Sequence, residues 1–118
     1  MRFTPHLLPM NRGMIATCHV NLKDGVSLLD LRTHYEATYG KEAFVHVLNE
    51  GQVPQTRHIR GSNYCQIGIF ADRTANSAVI VSVIDNLTKG SSGQAIQNYN
   101  VTQGWDETLG LQHVGVFP

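Results

Sequence analysis

Three short stretches of the sequence combine charged or amide side chains with glycine or proline, as ligand-approaching loops often do. The first, residues 3–14 (FTPHLLPMNRGM), contains His6, Arg12 and two prolines. A guanidinium group presents paired donors that suit a carboxylate or a phosphate. Arg12 is therefore a candidate anion-binding residue, the alternative being a surface loop with a solvated arginine.

The second stretch, residues 57–65 (RHIRGSNYC), places Arg60 immediately before Gly-Ser-Asn. Backbone N–H groups in such a turn can form an anion-binding corner beside the arginine. The alternative is a tight turn that uses Gly61 and Asn63 only for their conformational freedom.

The third stretch, residues 85–97 (DNLTKGSSGQAIQ), places small residues where a helix is expected to begin. The free N–H groups and the dipole of a helix start favour an anion or a polar amide. The stretch is not a P-loop, because Lys89 precedes the glycine. The alternative is an ordinary capped helix.

The sequence gives little support for a nucleophile or a metal site. Cys65 lies inside a strand pattern and away from a helix start, where a thiol pKa would fall. We therefore interpret Cys65 and Cys18 as reduced core thiols. The six histidines form no i, i+4 pair and no cluster with cysteine, so no metal site is predicted.

The hydrophobic periodicity and the helix-capping residues of the sequence predict the helices and strands that must position these stretches. Ser27 and Asp30 have capping-box spacing, and Gly40 can end that helix with a positive φ. Arg32 and Glu36 are spaced for an exposed ion pair. Ser91 and Gln94 predict a second capped helix, which Gly104 can end, followed by an irregular tail. The predicted strands cover 14–22, 44–48, 55–60, 64–70 and 77–84.

This order of elements predicts one α+β domain over residues 1–118. Consecutive strands joined by short turns favour a mostly antiparallel sheet with about two helices on one face. The 118 residues include 42% hydrophobic and 15% charged residues, with a formal net charge of zero. Nucleic acid and membrane are therefore poor partners, and a cytoplasmic location is expected. The low charge content favours a surface covered by another domain or subunit.

The three stretches, in this order, resemble the C-terminal domain of N-acetyl-gamma-glutamyl-phosphate reductases. The matching strings are FTPHLLPMNRGM, RHIRGSNYCQIG and VIDNLTKGSSGQAIQN, followed by DETLGL and a terminal FP. The third string alone would also suit the wider aspartate-semialdehyde dehydrogenase group, but the combination is specific. The resemblance covers nearly the whole chain and implies the fold of the C-terminal domain of glyceraldehyde-3-phosphate dehydrogenase-type enzymes.

The resemblance also implies an activity in arginine biosynthesis. Family members use NADPH to reduce N-acetyl-glutamyl 5-phosphate to N-acetyl-glutamate 5-semialdehyde. A cysteine thiolate attacks the acyl phosphate, phosphate leaves, and hydride reduces the thioester, with a histidine as acid and base. The family's Gly-Cys-Tyr-Pro and His-x-Pro-Glu motifs, and its glycine-rich nucleotide-binding half, do not occur here. We therefore expect a domain fragment without catalytic residues, inactive by itself.

Carried over by position, the resemblance assigns roles to particular residues. It places Asn86, Lys89 and Gly90 near the nicotinamide end of NADPH. It makes Arg12 and Arg60 the candidates to face the phosphate or carboxylate of the substrate, with His6 lining the same pocket.

The resemblance further implies two kinds of partner. The helix beginning near Ser91 would pack on the nucleotide-binding domain of the same polypeptide. The open face of the sheet would form a homodimer or homotetramer. Two alternatives remain open: a non-catalytic module that associates with itself or a partner, and a reductase of carrier-linked 2-aminoadipyl phosphate in lysine biosynthesis.

Overall fold

The architecture is a four-stranded mixed sheet in the order β1-β4-β3-β2, flanked by helices. The computed structural model describes residues 2–116, so Met1 and the terminal Phe-Pro of the resemblance lie outside the described residues. The strands are β1 (Met14–Asn21), β2 (Val45–Val47), β3 (Cys65–Ala71) and β4 (Ser77–Ile84). The helices are α1 (Leu28–Tyr39), α2 (Thr56–Ile59) and α3 (Gly93–Thr102). The predicted α+β class is confirmed.

Strands β1, β4 and β3 form the antiparallel part of the sheet. Strands β3 and β4 are joined by the predicted turn, in which Asn76 adopts a positive φ of 55°. Strand β1 pairs with β4 along its whole length, from Met14 opposite Ile84 to Asn21 opposite Ser77. The residues just before Met14 and those just after Ile84 are therefore neighbours in space.

Strand β2 pairs with β3 in parallel, so the expectation of short antiparallel connections was wrong at this point. Two adjacent parallel strands need a crossover, and residues 49–64 provide it. The predicted strand at residues 55–60 is accordingly the one-turn helix α2, whose Ile59 is buried. Its β-branched residues favoured a strand, but the chain here crosses the sheet face, where Pro54 packs on Gly68.

The two faces of the sheet are covered by different segments of the chain. Alternation and register put Cys18 and Ile84 on one face, where Tyr35 of α1 lies near Cys18 and Gly90 lies near Ile84. On the opposite face the crossover covers part of β3, whereas Ile15 of β1 is half exposed. Strand β1 is exposed on both faces of the sheet, at every residue except Val20. The same exposure of β1 corrects one expectation, because Cys18 is an exposed thiol and not a core residue.

Helix α1 begins with the predicted capping box, in which the Ser27 side chain accepts from the backbone N–H of Asp30 and the Asp30 carboxylate accepts from that of Ser27. Gly40 has φ −64°, so its predicted left-handed conformation was wrong. Glycine is instead favoured there by space, because a Cβ would lie 2.5 Å from the carbonyl oxygen of Glu36.

The predicted capping box of the last helix was also wrong. The chain enters α3 through a π-helical turn, Thr88–Ser92, and the Ser92 hydroxyl donates to the carbonyl of Leu87. Ser91 and Gln94 form no cap. Gly104, with φ +69°, follows α3 as predicted, and residues 105–116 are irregular.

Arg32 has a structural role. Its spacing from Glu36 predicted an exposed ion pair, but the arginine side chain is largely buried. Its side chain is only 12% exposed, although Nη1 lies 3.7 Å from a Glu36 oxygen. Nη1 donates to the carbonyl of Leu48 at 2.7 Å, and Nη2 donates to that of Ile69 at 3.2 Å. Arg32 therefore ties α1 to the carboxyl ends of β2 and β3.

We expect Arg32→Ala to lower the free energy of unfolding by about 2 kcal/mol, because hydrogen bonds from a charged donor are lost. Urea denaturation of the chain measures the change. Arg73→Ala is the matched control, since Arg73 is exposed in the β3–β4 turn. Equal stabilities of the two variants would contradict the bridging role of Arg32.

Candidate functional site

The centre of the site is the carboxylate of Asp85, which directly follows β4 and has no exposed surface. Its Oδ2 accepts from the backbone N–H of Gly61 at 2.7 Å. Its Oδ1 accepts from the N–H groups of Leu87 at 2.8 Å and Thr88 at 3.0 Å. Arg12 supplies the countercharge: Nη2 donates to Oδ1 at 3.1 Å, and Nε lies 2.9 Å from Oδ2 without a well-aimed hydrogen bond.

These contacts determine the ionisation of the Asp85 carboxyl group. Burial by itself would raise its pKa, because water no longer solvates the charged form. The hydrogen bonds from Gly61, Leu87, Arg12 and Thr88 outweigh burial and lower the pKa to about 2. Asp85 is therefore a carboxylate throughout the physiological pH range.

The β1–β4 register explains why the three candidate stretches meet. Met14 pairs with Ile84, so the residues just before β1 and just after β4 lie side by side. Gly61 brings in the second stretch by donating to Asp85. All three stretches selected from the sequence thus converge on one carboxylate.

Asn86 lies beside this carboxylate with a fixed amide orientation. Its Oδ1 accepts from the backbone N–H of Gly13 at 2.7 Å, a donor that only the oxygen can face. Within residues 2–116 its Nδ2 makes no hydrogen bond, so it can donate to a carbonyl oxygen. Gly13 has φ +116°, and a Cβ there would lie 2.9 Å from Cβ of Thr56. This close fit holds the Gly13 amide in place.

A cavity of about 300 Å³ opens next to Arg12 and is lined by residues 9–12, Thr56, Arg57 and Arg60. Among the described residues, three guanidinium groups and no carboxylate line it. The arrangement suits a small anion such as a phosphate or carboxylate.

Not every predicted residue reaches this cavity. His6 is exposed on the irregular segment before β1 and does not belong to the lining. Arg57, Thr56 and Asp85 are site residues that the sequence did not single out. Asp85 had a usable signal, because an Asp that follows a strand and precedes Asn-Leu-Thr can accept from the N–H two residues on, as Asx turns do.

Lys89 is directed into the domain. Its ammonium group donates to Oε1 of Gln97 at 2.6 Å and lies 5.6 Å from the ring centre of Phe44. Burial lowers its pKa. Gln97 also accepts from Asn63 and donates to Glu107, so Lys89 belongs to a buried polar network that fixes α3.

Two glycines of the third stretch are set by close packing. The N–H of Gly90 donates to the carbonyl of Asp85 at 2.8 Å, and a Cβ on Gly90 would lie 3.3 Å from that oxygen. A Cβ on Gly93 would collide with Oδ1 of Asn63. The backbone at Gly90 is nevertheless exposed to solvent.

The remaining reactive groups do not form a catalytic centre. Cys65 is half-buried, and burial raises the pKa of its thiol, an effect that the charge of Lys89 only partly offsets. A protonated thiol is a poor nucleophile. Among residues 2–116, no group of three or more histidine, cysteine or acidic residues could hold a metal ion. None of the described helices is long and apolar enough to cross a membrane.

Asp85 predicts a defined pH dependence of stability. Its folded pKa of about 2 lies below the unfolded value of about 3.9, so the ionised form stabilises the fold above about pH 4. That contribution, roughly 2–3 kcal/mol, is lost as the pH falls towards 2. Urea unfolding of the chain and of Asp85→Asn should therefore differ at pH 6 and converge near pH 2. A difference that is independent of pH would contradict the assignment.

Comparison with known proteins gives this geometry a context. A family model described as semialdehyde dehydrogenase, dimerisation domain, matches residues 1–86. A probable chloroplastic N-acetyl-gamma-glutamyl-phosphate reductase of Arabidopsis thaliana is 53% identical over 98% of the chain, which covers 29% of that protein. The N-acetyl-gamma-glutamyl-phosphate reductase of Geobacter sp. strain M21 is 51% identical over 98% of the chain, and that of Cellvibrio japonicus is 49% identical over all of it. The chain covers 34% of each of these two.

The fold is also found in a solved structure. Aspartate semialdehyde dehydrogenase II of Vibrio cholerae superposes with a TM-score of 0.64 over 84% of the chain and 30% of that protein, at 18% identity. The predicted fold class and the predicted resemblance are both confirmed. The chain spans about a third of the length of the curated reductases that it matches, and it belongs to the semialdehyde dehydrogenase dimerisation-domain family.

Proposed function

We propose that this chain is the substrate-side part of an NADPH-dependent reductase that converts N-acetyl-glutamyl 5-phosphate to N-acetyl-glutamate 5-semialdehyde in arginine biosynthesis. One observation supports this proposal above the others. Arg12 both lines the arginine-bordered cavity and binds Asp85, the residue next to Asn86. A candidate anion site and a candidate nicotinamide contact are therefore adjacent, as a reductase of an acyl phosphate requires.

The cavity matches the chemistry of the substrate. N-acetyl-glutamyl 5-phosphate carries a phosphate and a carboxylate, and guanidinium groups bind both. Arg60 is half-buried at the cavity, where a charged hydrogen bond is worth more than in open solvent. We assign Arg60, with Arg57 beside it, to the substrate anion. His6 would reach the substrate only if its segment folded over the cavity.

Asn86 fits a contact with the nicotinamide group. Its free Nδ2 can donate to a carboxamide oxygen, and the exposed backbone at Gly90 allows a flat ring to approach. When bound, NADPH would supply the hydride. Lys89 fits a cofactor contact less well, because its ammonium group is engaged by Gln97.

The chemistry of the reaction would come from outside these residues. Cys65 has the wrong environment for a thiolate, and the reductase cysteine and histidine motifs are absent from residues 1–118. The nucleotide-binding domain of the same polypeptide would supply the rest of the NADPH site and would cover α3. We place such a reductase in the cytoplasm, or in the chloroplast where the gene product is targeted there.

Arg60→Ala in the full-length reductase should raise the KM for N-acetyl-glutamyl phosphate by about 10- to 100-fold, because a charged hydrogen bond worth about 1–3 kcal/mol is lost. The KM for NADPH should change little. Steady-state kinetics with each substrate varied in turn measure both constants, with Arg73→Ala as the control. An unchanged KM for the acyl phosphate in Arg60→Ala would remove Arg60 from the substrate site.

Self-association is the second part of the proposal. The matching family model describes a dimerisation domain, and the sheet face opposite α1 presents Ile15 at 51% exposure. Half-buried Val79 and Val81 lie on the same face in the neighbouring strand. We propose that this face forms the subunit contact of a homodimer, and the interfaces of a homotetramer would be built on such dimers.

Adjacent residues of β1 provide a matched test, because Ile15 and Met14 are 51% and 54% exposed on opposite faces. Ile15→Glu should shift the chain towards the monomer in sedimentation velocity, because a charge enters an apolar contact. Met14→Glu should leave the distribution unchanged. The proposed face is wrong if Met14→Glu dissociates the dimer and Ile15→Glu does not.

A further inference from the structure

We propose that Arg12 is a positioning residue for the cofactor contact, acting through Asp85 on the amide of Asn86, and not a residue that holds the substrate. The proposal rests on the proposed function, because it takes Asn86 as a nicotinamide contact. It gives Arg12 a different role from the one that its place in the sequence implies.

The first support is that Asp85 already occupies one edge of the Arg12 guanidinium group. Its Nη2 and Nε edge faces the buried carboxylate of Asp85, and only 30% of the side chain is exposed. This edge is therefore occupied by Asp85 and is not available for a two-pronged contact with a substrate carboxylate.

The second support is the set of backbone N–H groups that donate to the Asp85 carboxylate. Asp85 accepts from the N–H groups of Leu87 and Thr88, so it fixes the backbone that directly follows Asn86. Three N–H donors alone would leave a buried negative charge without a countercharge. Arg12 supplies that countercharge and so keeps the loop of residues 85–88 in one conformation.

The third support is a second contact from the same segment. The N–H of Gly13, the residue after Arg12, donates to Oδ1 of Asn86. Arg12 thus fixes the backbone of the loop while its neighbour fixes the amide, and Nδ2 is left as the outward donor. Both contacts join residues 73 positions apart, which makes the arrangement specific to the folded sheet.

A double-mutant cycle in the full-length reductase tests the proposal, with the dissociation constant of NADPH as readout. The constant is measured by nicotinamide fluorescence in the absence of acyl phosphate. Asn86→Ala and Arg12→Gln should each raise it by about five- to tenfold. The double variant should bind NADPH no more weakly than Asn86→Ala, because Arg12 acts through Asn86. The KM for the acyl phosphate in Arg12→Gln should stay within about twofold.

Arg12→Lys and Arg73→Gln complete the design. Arg12→Lys keeps the countercharge and should bind NADPH more tightly than Arg12→Gln, while Arg73→Gln should bind as the parent does. Arg12→Lys also keeps the test decisive if Arg12→Gln does not fold. Its smaller effect should then disappear in the Asn86→Ala background.

The outcomes separate this proposal from the proposed function. If Asn86→Ala leaves NADPH binding unchanged, the cofactor contact itself is wrong and the positioning role falls with it. If Asn86→Ala weakens binding but the Arg12 variants do not, only the positioning role is wrong. If the Arg12 variants raise the KM for acyl phosphate and their effect multiplies with that of Asn86→Ala, Arg12 binds the substrate directly.

Discussion

The buried carboxylate of Asp85 is the constraint on which the rest of the site depends. A charge removed from water is stable only when hydrogen bonds and a countercharge replace solvation. Here the replacements come from Arg12 before β1, from Gly61 after α2, and from the loop that leads to α3. Satisfying one carboxylate therefore fixes the relative positions of three segments that are far apart in sequence.

The sequence predicted which stretches matter better than it predicted what each residue does. The spacing of arginine, glycine and amide residues marked all three stretches that meet at Asp85. It could not show that the Arg12 guanidinium group faces a carboxylate, because that pairing depends on the β1–β4 register. Lys89 illustrates the same limit, since its amino group is directed towards Gln97 by packing and not by a local pattern.

The fold shows a similar division between local and tertiary signals. The Ser27 cap and the strands β3 and β4 were predictable, because capping chemistry and runs of β-branched residues are local. The helix α2 was not, because Thr56 and Ile59 have strand propensity and only the crossover to a parallel neighbour makes this segment helical. The entry to α3 was missed because Ser91 and Gln94 have capping-box spacing, whereas the chain enters the helix through a π-helical turn and Gly93 packs against Asn63.

The pairing of β1 with β4 also has a consequence for how such domains can vary in length. The site lies at the Met14–Ile84 end of this ladder, whereas the loop after β1 and the turn before β4 lie at the Asn21–Ser77 end. Seven residues of strand separate the two ends by about 23 Å. Insertions and deletions in those two connections can therefore accumulate during evolution without disturbing Asp85, whereas a single inserted residue within either strand would shift its partners out of reach.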